Sequence, residues 1–260
     1  MGGDRILNRK ALCVLAFFWV VCFIEANIFN LLREFFMKNN ANTLFTPAAL
    51  LIEFGIILPV LLKLTGVKTG ELGLNVKNMK PGLILSVKWF LWAMALDYAY
   101  RILLASSNIK SFSGYHWDIV KYLSEGWYHL FTIFLIPVLW EEIFTRGLFF
   151  TYLSKLGLDR QFRVRFIKLD QTVFISALLF SLLHLNLFFT YGRPGIRNPG
   201  DAAYALIVAL GAFIVGYLLG FIRKKTDSLF WPIALHTISN FGDWAIASML
   251  PIILVNILPK

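Results

Sequence analysis

The chain has 260 residues, of which 58% are hydrophobic and 15% charged, and it carries a formal net charge of +10. Soluble domains typically hold about 25% charged and about 45–50% apolar residues, so a water-soluble fold is excluded and the bilayer must be the solvent. The basic residues sit in short loops between apolar runs, which excludes a nucleic-acid partner, and Cys13 and Cys22, both in the first run, give neither a disulfide framework nor a Cys-rich metal site.

A spanning helix needs roughly 20 mostly apolar residues. In chain order such runs cover about 11–32, 44–64, 83–105, 129–151, 171–189, 201–222 and 228–247. The apolar tail from Met249 to Leu258 is too short for a full span. The expected fold is therefore an all-α, polytopic bundle of seven or eight helices, with 1–260 as one integral-membrane domain. The first run, long and interrupted by Glu25, is read as a retained helix rather than a cleaved leader. Between the third and fourth runs, Ser106 to Tyr128 is rich in interfacial aromatics (Trp117, Tyr122, Trp127, Tyr128) and is expected to form a cap on the non-cytoplasmic side.

Alternate loops differ in charge. With a cytoplasmic N-terminus, the cytoplasmic segments hold 15 Lys and Arg and the opposite ones 6. The bias predicts a cytoplasmic N-terminus. The membrane is the plasma membrane in a prokaryote and the endoplasmic reticulum in a eukaryote.

Charged groups within spans are costly and need a partner or a task. Asp97 and Arg101 have the i,i+4 spacing of a structural ion pair. Glu25 and Glu53 have no local partner, and a hydrogen bond to another helix is expected for each. Asp243 is read as an interfacial or lining residue. The fourth run contains Trp140-Glu141-Glu142-Ile143-Phe144-Thr145-Arg146-Gly147. Glu142 and Arg146 form an i,i+4 pair with the acid N-terminal, the better order. Glu141, about 100° further round the helix, is left facing a neighbour in apolar surroundings, as a general-base candidate.

Of the four histidines, His116 and His129 lie in or beside the interfacial stretch, whereas His184 and His236 are mid-helix. A lone buried histidine is usually structural, but two opposite a Glu-Glu-x-x-x-Arg helix are not lone. His236 and Asn240, one turn apart, share a face. At 1.5 Å per residue, Glu141 lies roughly 15 Å, His184 about 20 Å and His236 about 12 Å from the cytoplasmic helix ends. Those depths allow one common plane.

Glu141, Glu142 and Arg146, then Phe180 and His184, then His236 and Asn240, in this order on successive helices, resemble the three motifs of the CPBP (Abi) intramembrane proteases, which include the type II CAAX prenyl endopeptidases. Ser228-Leu229-Phe230-Trp231-Pro232 is also similar to that family's lead-in to its third motif. The resemblance covers about 129–247 and implies eight helices around a cavity open to the cytoplasm. It implies that Glu141 and His184 activate water, that His236 and Asn240 form the oxyanion hole, and that Glu142, Arg146 and Phe180 support them. The substrate would be a membrane-associated peptide or protein, prenylated or otherwise anchored. Glu141, His184 and His236 are also a possible zinc set. The lack of a His-Glu-x-x-His helix favours a glutamate mechanism without metal. The alternative from another class is a non-catalytic membrane scaffold, in bacteriocin self-immunity or sensor regulation.

Overall fold

The computed structural model describes residues 9–39, 44–106, 135–164, 167–186, 188–189 and 199–240. The proposed cap from Ser106, the residues His116, His129 and Asp243, and the tail from Met249 lie wholly or almost wholly outside them, as do the side chains of Asp97 and Arg101.

The described residues form helices α1 (Arg9–Lys38), α2 (Phe45–Thr65), α3 (Met79–Ser106), α4 (136–155), α5 (Gln171–Asn186), α6 (Pro199–Thr226) and α7 (230–240). A hairpin of β1 (Gln161–Val164) and β2 (Ile167–Asp170) joins α4 to α5. Among these helices, Arg9–Lys38, Phe45–Thr65 and Asp201–Thr226 are long and apolar enough to cross a membrane, while α5 is a shorter apolar helix.

Each expected run contains a helix as far as it is described, and three of these helices are long and apolar enough to span, but two features were not foreseen. The hairpin departs from an all-α reading. Its segment Phe162-Arg163-Val164-Arg165-Phe166-Ile167-Lys168-Leu169 mostly alternates apolar with basic residues, the period of a strand rather than a helix. The second feature is a π-helical turn in α2 (Leu51–Ile57) and another in α4 (Ile143–Phe149). In α2 the wide turn precedes Pro59, whose ring and missing N–H disturb the regular helical ladder. In α4 it directly follows the two motif carboxylates, and such insertions are frequent at functional sites.

Packing is organised around α4 and α5. Phe18 of α1 meets Phe144 and Phe149 of α4 at ring distances of 5.5 and 4.7 Å, and these side chains join Leu61, Leu72, Leu148, Ile175, Leu179 and Leu229 in one apolar core. A smaller cluster, Leu219, Ile222, Trp231 and Leu235, holds α6 and α7 against Leu85 and Trp89 of α3. Helices α5 and α6 approach closely because Gly216 and Gly220 put no side chain between them. A Cβ at Gly216 would lie 3.2 Å from the Cα of Ala177, and one at Gly220 3.3 Å from Val173 Cγ1. Small residues one turn apart serve the same purpose in membrane helix pairs generally.

One rim of the bundle is laced by the α2–α3 connection. Leu229 N–H donates to the Gly73 carbonyl at 2.7 Å, Asn78 Nδ2 to the Thr226 carbonyl at 2.9 Å, and Trp231 Nε1 to the Lys77 carbonyl at 3.3 Å. Gly73 is required there twice over. Its φ is +80°, and the Arg223 guanidinium comes within 2.4 Å of where a Cβ would stand. This lacing fixes the start of α7, and so the position of His236 two turns further on.

Candidate active site

The site grows from α4. Glu142 and Arg146 form the i,i+4 pair that their spacing predicts: Nη1 donates to Oε1 at 2.8 Å, and both side chains are fully buried. The same Nη1 lies 2.8 Å from Thr145 Oγ1, and Thr145 in turn donates to the Glu141 carbonyl at 2.5 Å. The Thr145 carbonyl accepts from Ser176 Oγ of α5 at 3.0 Å, tying the π turn to the neighbouring helix. The guanidinium carbon sits 4.0 Å above the Phe180 ring, where a cation gains from the negative face of the π system.

His236 of α7 completes this network. Its Nδ1 is 2.8 Å from Glu142 Oε1, and its Nε2 is 3.8 Å from Glu141 Oε2. Glu142 is therefore more than the internal partner of Arg146, since it also holds the third-motif histidine. With an ionised carboxylate accepting, Nδ1 carries a proton, and Nε2 is the nitrogen turned toward Glu141. The two adjacent carboxylates differ sharply in access. The Glu141 side chain is 32% exposed and that of Glu142 0%. Only the former can meet a solvent molecule or a substrate.

Phe180 is the hub that joins the second motif to the other two. Its ring is 4.5 Å from that of His184 and 5.6 Å from that of His236, in addition to the Arg146 contact. The spacing of the second motif has a further reason: His184 Nδ1 donates to the Phe180 carbonyl one turn back, at 3.0 Å. A carbonyl can only accept, so the proton is on Nδ1 and the half-buried His184 keeps a lone pair on Nε2. The direct polar contacts thus link Glu141, Glu142, Arg146 and His236, while His184 enters through the Phe180 ring. Asn240 is half-buried one turn beyond His236 on the same helix face.

Residues that the motifs leave out also reach this place. Glu25 of α1 is buried, and its carboxylate lies beside the Trp140 side chain of α4. Glu25 and Glu53 both lie near enough to Glu141 for their charges to interact. Trp140 is held by Phe54 and Phe144 at ring distances of 5.4 and 5.5 Å. Gly216 of α6 was not singled out by any motif, yet a Cβ there would be 3.0 Å from Phe180 Cδ1 and 3.1 Å from Arg146 Nη2. Its lack of a side chain makes room for the buried guanidinium. A small residue at a helix crossing was the only sequence signal available for it.

Among the described residues, no three His, Cys, Asp or Glu side chains are grouped so that they could hold a metal ion. Both described cysteines are free thiols, Cys13 exposed and Cys22 buried.

No curated protein and no solved structure matches the chain. Residues 123–242 match the family model for Type II CAAX prenyl endopeptidase Rce1-like, a family of proteases. That stretch holds every residue of the three motifs, so the match agrees with their resemblance to the CPBP family.

Proposed function

We propose that the chain is an intramembrane endopeptidase that hydrolyses a peptide bond of a membrane-anchored peptide or protein. One observation carries the reading: an accessible carboxylate, Glu141, lies beside a histidine, His236, that a second and fully buried carboxylate fixes in place. The segment concerned is also the one that matches a protease family.

Glu141 acts as the base on a water molecule, and His184 Nε2, a lone-pair acceptor, orients the second hydrogen of that water. The hydroxide attacks the peptide carbonyl. His236 Nε2–H and the Asn240 amide then receive the oxyanion, and Glu141 returns its proton to the leaving amine. Since Nδ1–H of His236 is committed to Glu142, Nε2 donates only when the ring carries both protons. The resulting positive charge is balanced by the carboxylates at 2.8 and 3.8 Å. A preorganised donor of this kind lowers the barrier by about 2.7–4 kcal/mol. Glu142, Arg146 and Phe180 position these groups without touching the water. The base, the bound water and the oxyanion donors suffice for hydrolysis, and no step is assigned to a metal.

In this reading the N-terminus is cytoplasmic, and an eight-helix bundle opens its cavity to that side. A prenylated C-terminus is the substrate class suggested by the family description. The test is cleavage by the full chain in liposomes, with lipid-anchored peptides and their unanchored twins followed by mass spectrometry. Hydrolysis confined to the anchored set is expected. Biological activity that survives alanine at both Glu141 and His184 would instead establish the scaffold reading.

A further inference from the structure

The β1–β2 hairpin carries charge in a pattern that its own fold does not explain. The register places Phe162 opposite Leu169 and Arg163 opposite Lys168. Directly opposed residues of an antiparallel pair share a face, so the hairpin has one apolar and one basic side. The apolar side is anchored: Phe162 is buried, with its ring 5.5 Å from Phe174 of α5 in edge contact. Arg163 and Lys168 are exposed together on the other side.

Like charges placed directly opposite destabilise a hairpin. The nearest acids do not relieve this pair, because Asp159 and Asp170 both hold Lys224 at the end of α6. Among the described residues no carboxylate pairs with Arg163 or Lys168. The hairpin is nevertheless rigidly mounted. Gln171 N–H donates to the Arg160 carbonyl at 2.8 Å, Thr172 Oγ1 to the Leu158 carbonyl at 3.1 Å, and Asp170 Oδ1 accepts from Val173 N–H at 3.1 Å. Helix α5 begins at the next residue after β2. The opposed cations therefore stand just before the first turn of an apolar helix.

We propose that the Arg163–Lys168 face binds the phosphate headgroups of anionic phospholipids in the adjoining leaflet. An anion between the two side chains removes their repulsion, and the planar guanidinium suits a phosphate in particular. This surface is independent of the peptidase reading and remains if that reading fails. Each basic residue near an anionic bilayer strengthens association about fivefold, so loss of both weakens it roughly 25-fold.

The test uses the purified full chain in neutral detergent, titrated with short-chain phosphatidylglycerol, short-chain phosphatidylcholine or inorganic phosphate, with the thermal midpoint as readout. A rise that requires phosphatidylglycerol, declines with salt and is lost in the Arg163→Ser/Lys168→Ser double variant supports the proposal. Arg163→Glu guards against misfolding. It creates an opposite-charge pair with Lys168, so it should raise the lipid-free midpoint while abolishing the lipid response. Equal responses to the two lipids, a full response to inorganic phosphate, or an undiminished response in the double variant would each overturn it.

Discussion

Two i,i+4 ion pairs between an arginine and a carboxylate lie at different depths in this bundle. Glu142–Arg146 is closed at 2.8 Å with both side chains fully buried; Arg223–Asp227 is closed at 3.1 Å with its aspartate 69% exposed. The spacing is shared, but the solvent is not. At the rim, water already solvates the aspartate, and the pair helps to hold a turn. In the core, neither charge has water to fall back on, so each is tolerated only because the other, Thr145, Phe180 and His236 are in place. Buried polarity of this kind contributes little net stability, and its value lies in fixing where His236 points.

The largest effect should therefore follow from breaking the inner pair. Arg146→Ala leaves the fully buried Glu142 carboxylate with His236 as its remaining partner and should cost about 3–5 kcal/mol, read as a lower denaturation midpoint in detergent. Replacing both partners with apolar residues, Glu142→Leu with Arg146→Met, should restore most of the stability without restoring cleavage. That outcome would separate the role of the pair in folding from its role in the site. Next comes His236→Ala, which removes the proposed oxyanion donor and should lower kcat about a hundredfold to a thousandfold, with a smaller change in KM.

Gly216→Ala is a milder disturbance of the same region. It forces Phe180, Arg146 or the α5 backbone to yield, and overpacking of this kind costs about 1–3 kcal/mol. A melting curve and a kcat measured together should both decline. The rim supplies the smallest effect. The Lys155 ammonium and the Lys68 backbone N–H hold the Glu71 carboxyl below its usual range. A lowered folded value means that the contact stabilises above the unfolded pKa, near 4.3, and is lost as pH falls through the folded one. Lys155→Ala should remove this small contribution at neutral pH, so that the stability–pH curves of variant and wild type lie slightly apart there and converge as pH falls through the acid limb.

Features carried by short spacings were legible in the sequence. The seven helices could be read from the length of their apolar runs, and the Glu142–Arg146 pair from four residues of separation. The hairpin carried its signal too, in the alternation from Phe162 to Leu169, but a charged loop between spans hides a period of two. The contact between Glu142 and His236 was not legible, because it joins residues 94 apart and depends on how the Gly73 turn sets the start of α7. Nor was the π turn after Glu142, whose residues, Ile143 to Phe149, have no composition unlike that of an ordinary helix. The hub role of Phe180 had the same limit. A phenylalanine in an apolar run looks like any other until Arg146, His184 and His236 are seen around its ring.

In the proposed mechanism the two neighbouring carboxylates divide the labour, Glu141 as the base and Glu142 as the group that sets the frame. Glu141→Gln preserves shape and leaves the Glu142–Arg146–His236 network untouched. Cleavage of a membrane-anchored peptide in liposomes should fall to background for this variant, while its thermal midpoint stays at the wild-type value. Turnover equal to wild type would contradict the assignment of Glu141 as the base.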